Sequence, residues 1–182
     1  MIKYLFIIIS FSLIDSASAN NKENIIKNLK ETENINFDFE QNINEKIEKG
    51  NCVIEYPKKI FCEYLGSNNK ILVSNGNSLV IKTKTSYYLY PLKKTHLNLI
   101  LDKNYLINKI YNLEEKVIDE SFINYKINDN GNEINIFFDN QSFNLIGWQT
   151  KDVYQNLNIT FLSSVKKNEL INKNIFKLPS QN

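Results

Sequence analysis

Few residues of this 182-residue chain have the type and spacing that chemistry requires. The chain has two cysteines, Cys52 and Cys62, and they flank the turn signal Tyr56-Pro57-Lys58. Pairing the flanking segments about Pro57 sets Glu55 opposite Lys59, Ile54 opposite Ile60, Val53 opposite Phe61 and Cys52 opposite Cys62. Directly opposed residues on antiparallel strands have Cβ atoms about 4.5–5.5 Å apart, less at non-hydrogen-bonded positions. A disulfide needs about 3.5–4.5 Å, so a structural disulfide is expected over two free thiols. C-x-x-C is absent, which argues against a redox pair. Two thiols and the single histidine, His96, make a poor metal set.

Catalytic constellations are otherwise missing. There is no G-x-S-x-G, no G-x-G-x-x-G and no P-loop. His96 stands without an evident partner in sequence and reads as a surface or packing residue. Glu114-Glu115 and Asp119-Glu120 could in principle supply an acid/base pair, but their polar, strand-forming surroundings make them water-facing. The expectation is a protein that is not an enzyme and holds no cofactor.

Composition narrows the classes further. Twenty-two basic against 20 acidic residues leave a net charge of +2, which does not suggest a nucleic-acid partner. Lys58-Lys59, Lys93-Lys94 and Lys166-Lys167 read as solvated turn charges. The N-terminus has the form of a secretory signal. Lys3 supplies the positive region, Tyr4 to Ile14 the apolar region and Ala17-Ser18-Ala19 the small-residue cleavage site. Cleavage after Ala19 is expected, dividing the chain into a signal peptide (1–19) and one mature domain (20–182). Export places the cysteines in an oxidising compartment.

The elements that must position these residues are mostly strands. Asn24 to Glu33 has Ile25, Ile26 and Leu29 at helical spacing. Period-two alternation then begins at Ile35 and runs through Phe37 and Phe39 to Gln41. Short strands are predicted at 51–56, 60–65, 71–74, 79–83 and 87–90. Asn75-Gly76 and Ser67-Asn68-Asn69 mark turns between them. Leu97 to Ile107 is strongly apolar with mixed periodicity and reads as a short helix or helical loop. Strands resume at 116–119, 122–127, 133–139, 142–150 and 155–162, with turns at Asn130-Gly131 and Asp139-Asn140-Gln141. This pattern predicts a barrel or a strongly curved sheet.

In order and spacing, several segments resemble one family. The helix is followed by Phe37-x-Phe39-x-Gln41. Next come Gly50-x-Cys52-x-Ile54-x-Tyr56-Pro57 and Ile60-Phe61-x-x-Tyr64. Ile71-Leu72-Val73-Ser74-Asn75-Gly76-x-x-Leu79 follows. Later pieces are Leu145-x-Gly147-Trp148-x-x-x-Asp152 and the closing Phe176-x-Leu178-Pro179. Together they resemble the LolA-type outer-membrane lipoprotein carriers of the bacterial periplasm.

The resemblance implies an unclosed, strongly curved antiparallel β-barrel with a helical lid. It implies a periplasmic chaperone that takes acylated lipoproteins from an inner-membrane ABC transporter and delivers them to an outer-membrane receptor; the chain itself is expected to be a monomer. A sensor of lipid or mislocalised lipoprotein on the same fold is the alternative. The cavity-lining set expected from the inward apolar positions is Phe37, Phe39, Ile54, Tyr56, Phe61, Tyr64, Leu72, Leu79 and Ile81. The lid set is Leu97, Leu99, Ile100, Leu101, Leu106 and Ile107. Ordinary core packing is an equal reading for each. Tyr56 stands where the family often has an Arg that holds the lid closed.

Overall fold

The computed structural model describes residues 15–66, 68–118, 121–129, 132–151 and 156–181. The first helix, α1 (Asp15–Glu31), starts well before the predicted Asn24. It ends where Thr32 bonds back to the Asn28 carbonyl through its hydroxyl (2.7 Å) and to the Leu29 carbonyl through its N–H (3.3 Å). Ile25 and Leu29 form its buried stripe. Residues 1–14, most of the predicted signal peptide, lie outside the described residues, as do the predicted Asn130-Gly131 turn and the ends of two predicted strands at Asp119 and Gln155.

β1 (Asn34–Ile43) carries the predicted alternation, with Ile35, Phe37 and Phe39 buried and Asp38 and Glu40 exposed. It turns at Asn44 and Glu45, both at positive φ (50° and 69°), the backbone that a tight hairpin requires. β2 (Lys46–Glu55) therefore begins five residues before the predicted Asn51. Alternation fails to announce that first half because Glu48 and Gly50 hold its inward positions. β3 (Lys59–Tyr64) pairs in the predicted register, Glu55 with Lys59 through Cys52 with Cys62. The disulfide is formed across this pair, with the Cα atoms 4.1 Å apart.

β4 (Ile71–Asn75), β5 (Ser78–Lys82) and β6 (Tyr87–Pro91) extend the meander. The predicted apolar helical segment is two helices, α2 (Leu97–Ile100) and α3 (Lys103–Asn112). Asp102 separates them by capping α3, its carboxylate accepting from the Tyr105 N–H at 3.1 Å. β7 (Lys116–Ile118), β8 (Phe122–Asp129), β9 (Asn132–Asp139), β10 (Leu145–Lys151) and β11 (Leu157–Lys167) form a second meander. β10 starts three residues after the predicted Ser142. There the Asp139 carboxylate accepts from the Ser142 N–H (2.6 Å) and Phe143 takes a positive φ of 57°, so the chain turns before it extends. β11 outruns its predicted end at Leu162 because its polar second half pairs with the start of β1, Ile35 with Lys167 and Asn36 with Lys166.

All eleven strands lie in one antiparallel sheet of order β6-β5-β4-β3-β2-β1-β11-β10-β9-β8-β7. The sheet is unclosed: β6 and β7 end it, each paired on one side only among the described residues. Its concave face carries the main core with Ile54, Ile60, Ile123, Tyr125, Ile136 and Phe138, all nearly or fully buried. On the convex face a 3-10 turn, Lys173–Phe176, packs over β3 and β4. Phe176 is buried there, the Tyr87 hydroxyl donates to the Pro179 carbonyl (3.2 Å), and Lys82 donates to that of Ser180 (2.7 Å).

The disulfide closes a short loop, for which the chain-entropy relation gives about 2–3 kcal/mol. Reduction is expected to lower the stability of the folded chain by that amount, read as a shift of its urea midpoint. Equal midpoints with and without reductant would show that the bridge staples nothing.

Candidate functional site

Strand parity decides which side chains face the concave side. Starting from Phe37, the inward positions run through Cys52, Cys62, Leu72 and Ile81 on successive strands. A second row runs from Ile35 through Ile54, Ile60, Ser74 and Leu79. The first row, with Ile60 and Leu79 of the second, forms the wall of a cavity of about 270 Å3. Six of the nine expected lining residues are there: Phe37, Phe39, Tyr64, Leu72, Leu79 and Ile81. The Cys52–Cys62 bridge, Ile43, Ile60 and Trp148 complete the apolar part.

The other three are elsewhere. Phe61 pairs with Val53 and Val73, one position out of step with Ile60 and Cys62. It therefore faces the convex side, a correction that the predicted hairpin register already contained. Ile54 is fully buried in the core and does not reach the cavity. Tyr56 packs at the foot of α1 with Leu29, Ile35 and Leu145, and the Lys103 ammonium lies 5.7 Å from its ring centre. Burial pushes the Tyr56 phenol well above its ordinary pKa.

Of the expected lid residues, Leu97 and Ile100 roof the cavity. Leu101 and Leu106 are fully buried, Leu99 is half-buried against the core, and Ile107 turns toward Ile26 of α1. The roof is tied down at the tip of the β2–β3 turn. The Lys58 N–H donates to the Leu101 carbonyl (2.9 Å), and the Lys58 ammonium pairs with Asp102 at 3.1 Å. At the far side, the Tyr105 hydroxyl donates to Asp129 (2.9 Å). Burial, this hydrogen bond and the Asp129 charge push the Tyr105 phenol up to about 12.

One rim of the cavity is polar, which the apolar periodicity did not reveal. Gln41 donates to Asn158 (3.0 Å) and Thr160 (3.2 Å), and accepts from the Tyr64 hydroxyl (3.4 Å). Lys70 lies 3.9 Å from the Tyr64 ring centre and pairs with buried Glu48 at 2.6 Å; Lys46 pairs with the other Glu48 oxygen at 3.0 Å. Burial alone would raise the Glu48 pKa, but the hydrogen bonds and charges of Lys70 and Lys46 outweigh it and hold the carboxyl below its usual range. His96 lines the cavity beside Thr95. Glu115 does not simply face water: it accepts from the Tyr125 hydroxyl (2.8 Å) and from Asn21 (3.2 Å). Asp119 and Glu120 lie outside the described residues.

The model of the family described as "Outer membrane lipoprotein carrier protein LolA" matches residues 30–179. The chain belongs to the LolA family. Comparison with curated proteins finds no match. Among solved structures, an uncharacterised conserved protein of Thermus thermophilus is similar at TM-score 0.52 and 9% identity, over 90% of this chain and 96% of that one. MucB is similar at TM-score 0.52 and 6% identity, over 92% of this chain and 64% of that one. A LolA superfamily protein of Nitrosomonas europaea is similar at TM-score 0.45 and 8% identity, over 88% and 97%. At such identities the likeness to the Thermus protein and to MucB is one of fold alone.

Glu48 supplies a test of the polar rim. Its lowered pKa means that the folded chain binds fewer protons than the unfolded chain near pH 4. The group's stabilisation is therefore present above its ordinary pKa and lost as pH falls through the lowered one. Glu48→Gln is expected to cost about 1–3 kcal/mol at pH 7, and the gap to the parent should close toward pH 3. Urea midpoints that stay equally far apart at pH 7 and pH 3 would exclude this role for Glu48.

Proposed function

We propose that this chain is a periplasmic chaperone that binds the acyl chains of lipoproteins released from the inner membrane and delivers them to the outer membrane. One observation carries the reading: an apolar cavity, roofed by Leu97 and Ile100, ends at a rim of hydrogen-bonded polar groups around Gln41 and Lys70. Acylated lipoproteins have the same division, hydrocarbon chains joined to a polar peptide. Burial in a bilayer yields about 0.8 kcal/mol per CH2, so two or three chains anchor a protein stably. Crossing water then requires a cavity that replaces the lipid.

The volume bears on the mechanism. About 270 Å3 falls short even of the roughly 300–1,000 Å3 of ordinary small-molecule pockets. Uptake of several acyl chains therefore requires the roof to move. On this reading α2 and α3 are the lid and the β3–β5 wall is the fixed side. The partners are acylated lipoproteins, an inner-membrane lipoprotein-releasing ABC transporter and an outer-membrane lipoprotein receptor. The working form is a monomer of residues 20–182, cleaved after Ala19, with no catalytic step.

Trp148 is the only tryptophan and lines the cavity, so it reports occupancy directly. A diacylated or triacylated lipopeptide should shift its emission saturably, while the deacylated peptide should not. In a second assay, spheroplasts retaining labelled lipoproteins are incubated with the purified chain. Soluble lipoprotein bound to the chain is the expected result. If an established carrier releases lipoprotein and this chain does not, the carrier reading fails. Co-purification of free lipid alone, identified by mass spectrometry, would point instead to a lipid-sensing module of the same fold.

A further inference from the structure

We propose that the free sheet edge at β6, with the turn that follows it, docks on the surface of an anionic lipid bilayer. The proposal stands apart from the cargo reading, since a chain with an empty cavity would dock equally well. It begins from charge. No carboxylate occurs between Glu63 and Asp102, whereas Lys70, Lys82, Lys84, Lys93 and Lys94 all fall in that span. Lys70 is engaged by Glu48, and Lys82 by the Ser180 carbonyl. Lys84, Lys93 and Lys94 stand exposed just before and just after β6. Glu63 lies three strands inboard, across Ile71 and Lys82 from Tyr87.

Between these cations the edge strand exposes large apolar side chains on both of its faces. Tyr88, Leu89 and Tyr90 are 51%, 57% and 43% exposed. Tyr88 and Tyr90 stack with centroids 6.5 Å apart and planes 15° from parallel. They continue the rows of Ile81 and Leu79, which line the cavity. Tyrosines with an apolar body and a polar tip, flanked by lysines that extend toward phosphates, suit the headgroup layer of a bilayer. The opposite edge differs in sign, because Glu114 and Glu115 precede β7. An anionic surface would therefore attract the β6 edge and orient the cavity wall beside it toward the membrane.

Lysines on an edge strand can also serve only to block strand-to-strand aggregation, and a basic patch can serve a protein partner. One experiment separates these roles. The chain, secreted to and purified from the periplasm, is tested for flotation with vesicles free of lipoprotein. These are either phosphatidylcholine alone or phosphatidylcholine with 30% phosphatidylglycerol. Binding to the anionic vesicles is expected to exceed binding to the neutral ones at least tenfold. It should largely vanish at 1 M salt, where the Debye length falls to about 3 Å. Lys84→Glu/Lys93→Glu/Lys94→Glu should abolish it, while the equally charged control Lys116→Glu/Lys166→Glu/Lys177→Glu should retain most of it. Tyr88→Ser/Tyr90→Ser should weaken binding without removing its salt dependence. The proposal is overturned if the parent chain does not distinguish the two vesicles, or if both triple variants lose binding alike. It is equally overturned if the parent ignores vesicles while the edge variant aggregates or loses capture of a partner protein. Circular dichroism of each variant establishes that the folded chain is compared.

Discussion

The pairing of β1 with β11 is the constraint on which the rest depends. It joins a meander running from β1 to β6 to another running from β11 back to β7, so the first and last strands of the sheet sit at its centre. The two strands at the free edges, β6 and β7, are then neighbours in sequence order. The chain between them has to travel from one edge to the other across the concave side. That segment contains α2 and α3, and its route alone makes it a roof. Curvature makes the roof's span short. The β1–β11 ladder shifts register between Asn36 and Asp38, and such irregularities bend a sheet. Gly50 and Gly147 mark two close approaches. A Cβ at Gly50 would lie 2.0 Å from the Glu63 carbonyl oxygen, and one at Gly147 2.5 Å from that of Thr160.

The same topology explains why the cavity has two kinds of wall. Strands β3 to β5 present Ile60, Leu72, Leu79 and Ile81 inward, because their concave faces are covered by the roof. Toward the end of β1 the cavity opens, and the inward position after Phe39 is Gln41. Polar groups at that rim would be left unpaired in a dry core. Here they satisfy one another across three strands, from Tyr64 through Gln41 to Asn158 and Thr160. The boundary between hydrocarbon-like and water-like surroundings thus falls between successive inward residues of one strand, Phe39 and Gln41.

How much of this was legible depended on whether side chains obeyed a local period. The hairpin register about Pro57 and the disulfide followed from two cysteines, one proline and β-pairing geometry alone. Phe61 is apolar and sits in a predicted strand, yet that register sets it beside Val53 and out of step with Ile60, so parity turns it to the convex face. The first half of β2 was illegible because Glu48 and Gly50 occupy inward positions. Glu48 is tolerable there only because Lys46 and Lys70, the latter from beyond β3, converge on it. The end of β11 was hidden similarly: its polar residues are strand because β1 offers a ladder to pair with, and a partner so distant in sequence leaves no local mark. The split of the roof at Asp102 was readable in retrospect from an N-capping residue before Lys103, masked by the apolar run on either side.

The roof's closure is also a question of magnitudes. The ties at Lys58 are one main-chain hydrogen bond and one partly exposed ion pair, worth about 1 kcal/mol and at most about 1 kcal/mol respectively. Full burial of a Leu or Ile side chain contributes about 1.5–3 kcal/mol, and Ile100, Leu101, Leu106 and Ile110 are all completely buried. Apolar burial therefore exceeds the ties severalfold, whether position 56 holds Tyr or a guanidinium. A roof held mainly by latches could be released by breaking them. A roof held mainly by burial opens into water only at the expense of that burial, unless something apolar enters beneath it. Acyl chains would replace the lost contacts as the helices lift, so on the carrier reading the cargo itself shifts the balance between closed and open. On that same reading, burial would close the roof again once the chains left for a bilayer.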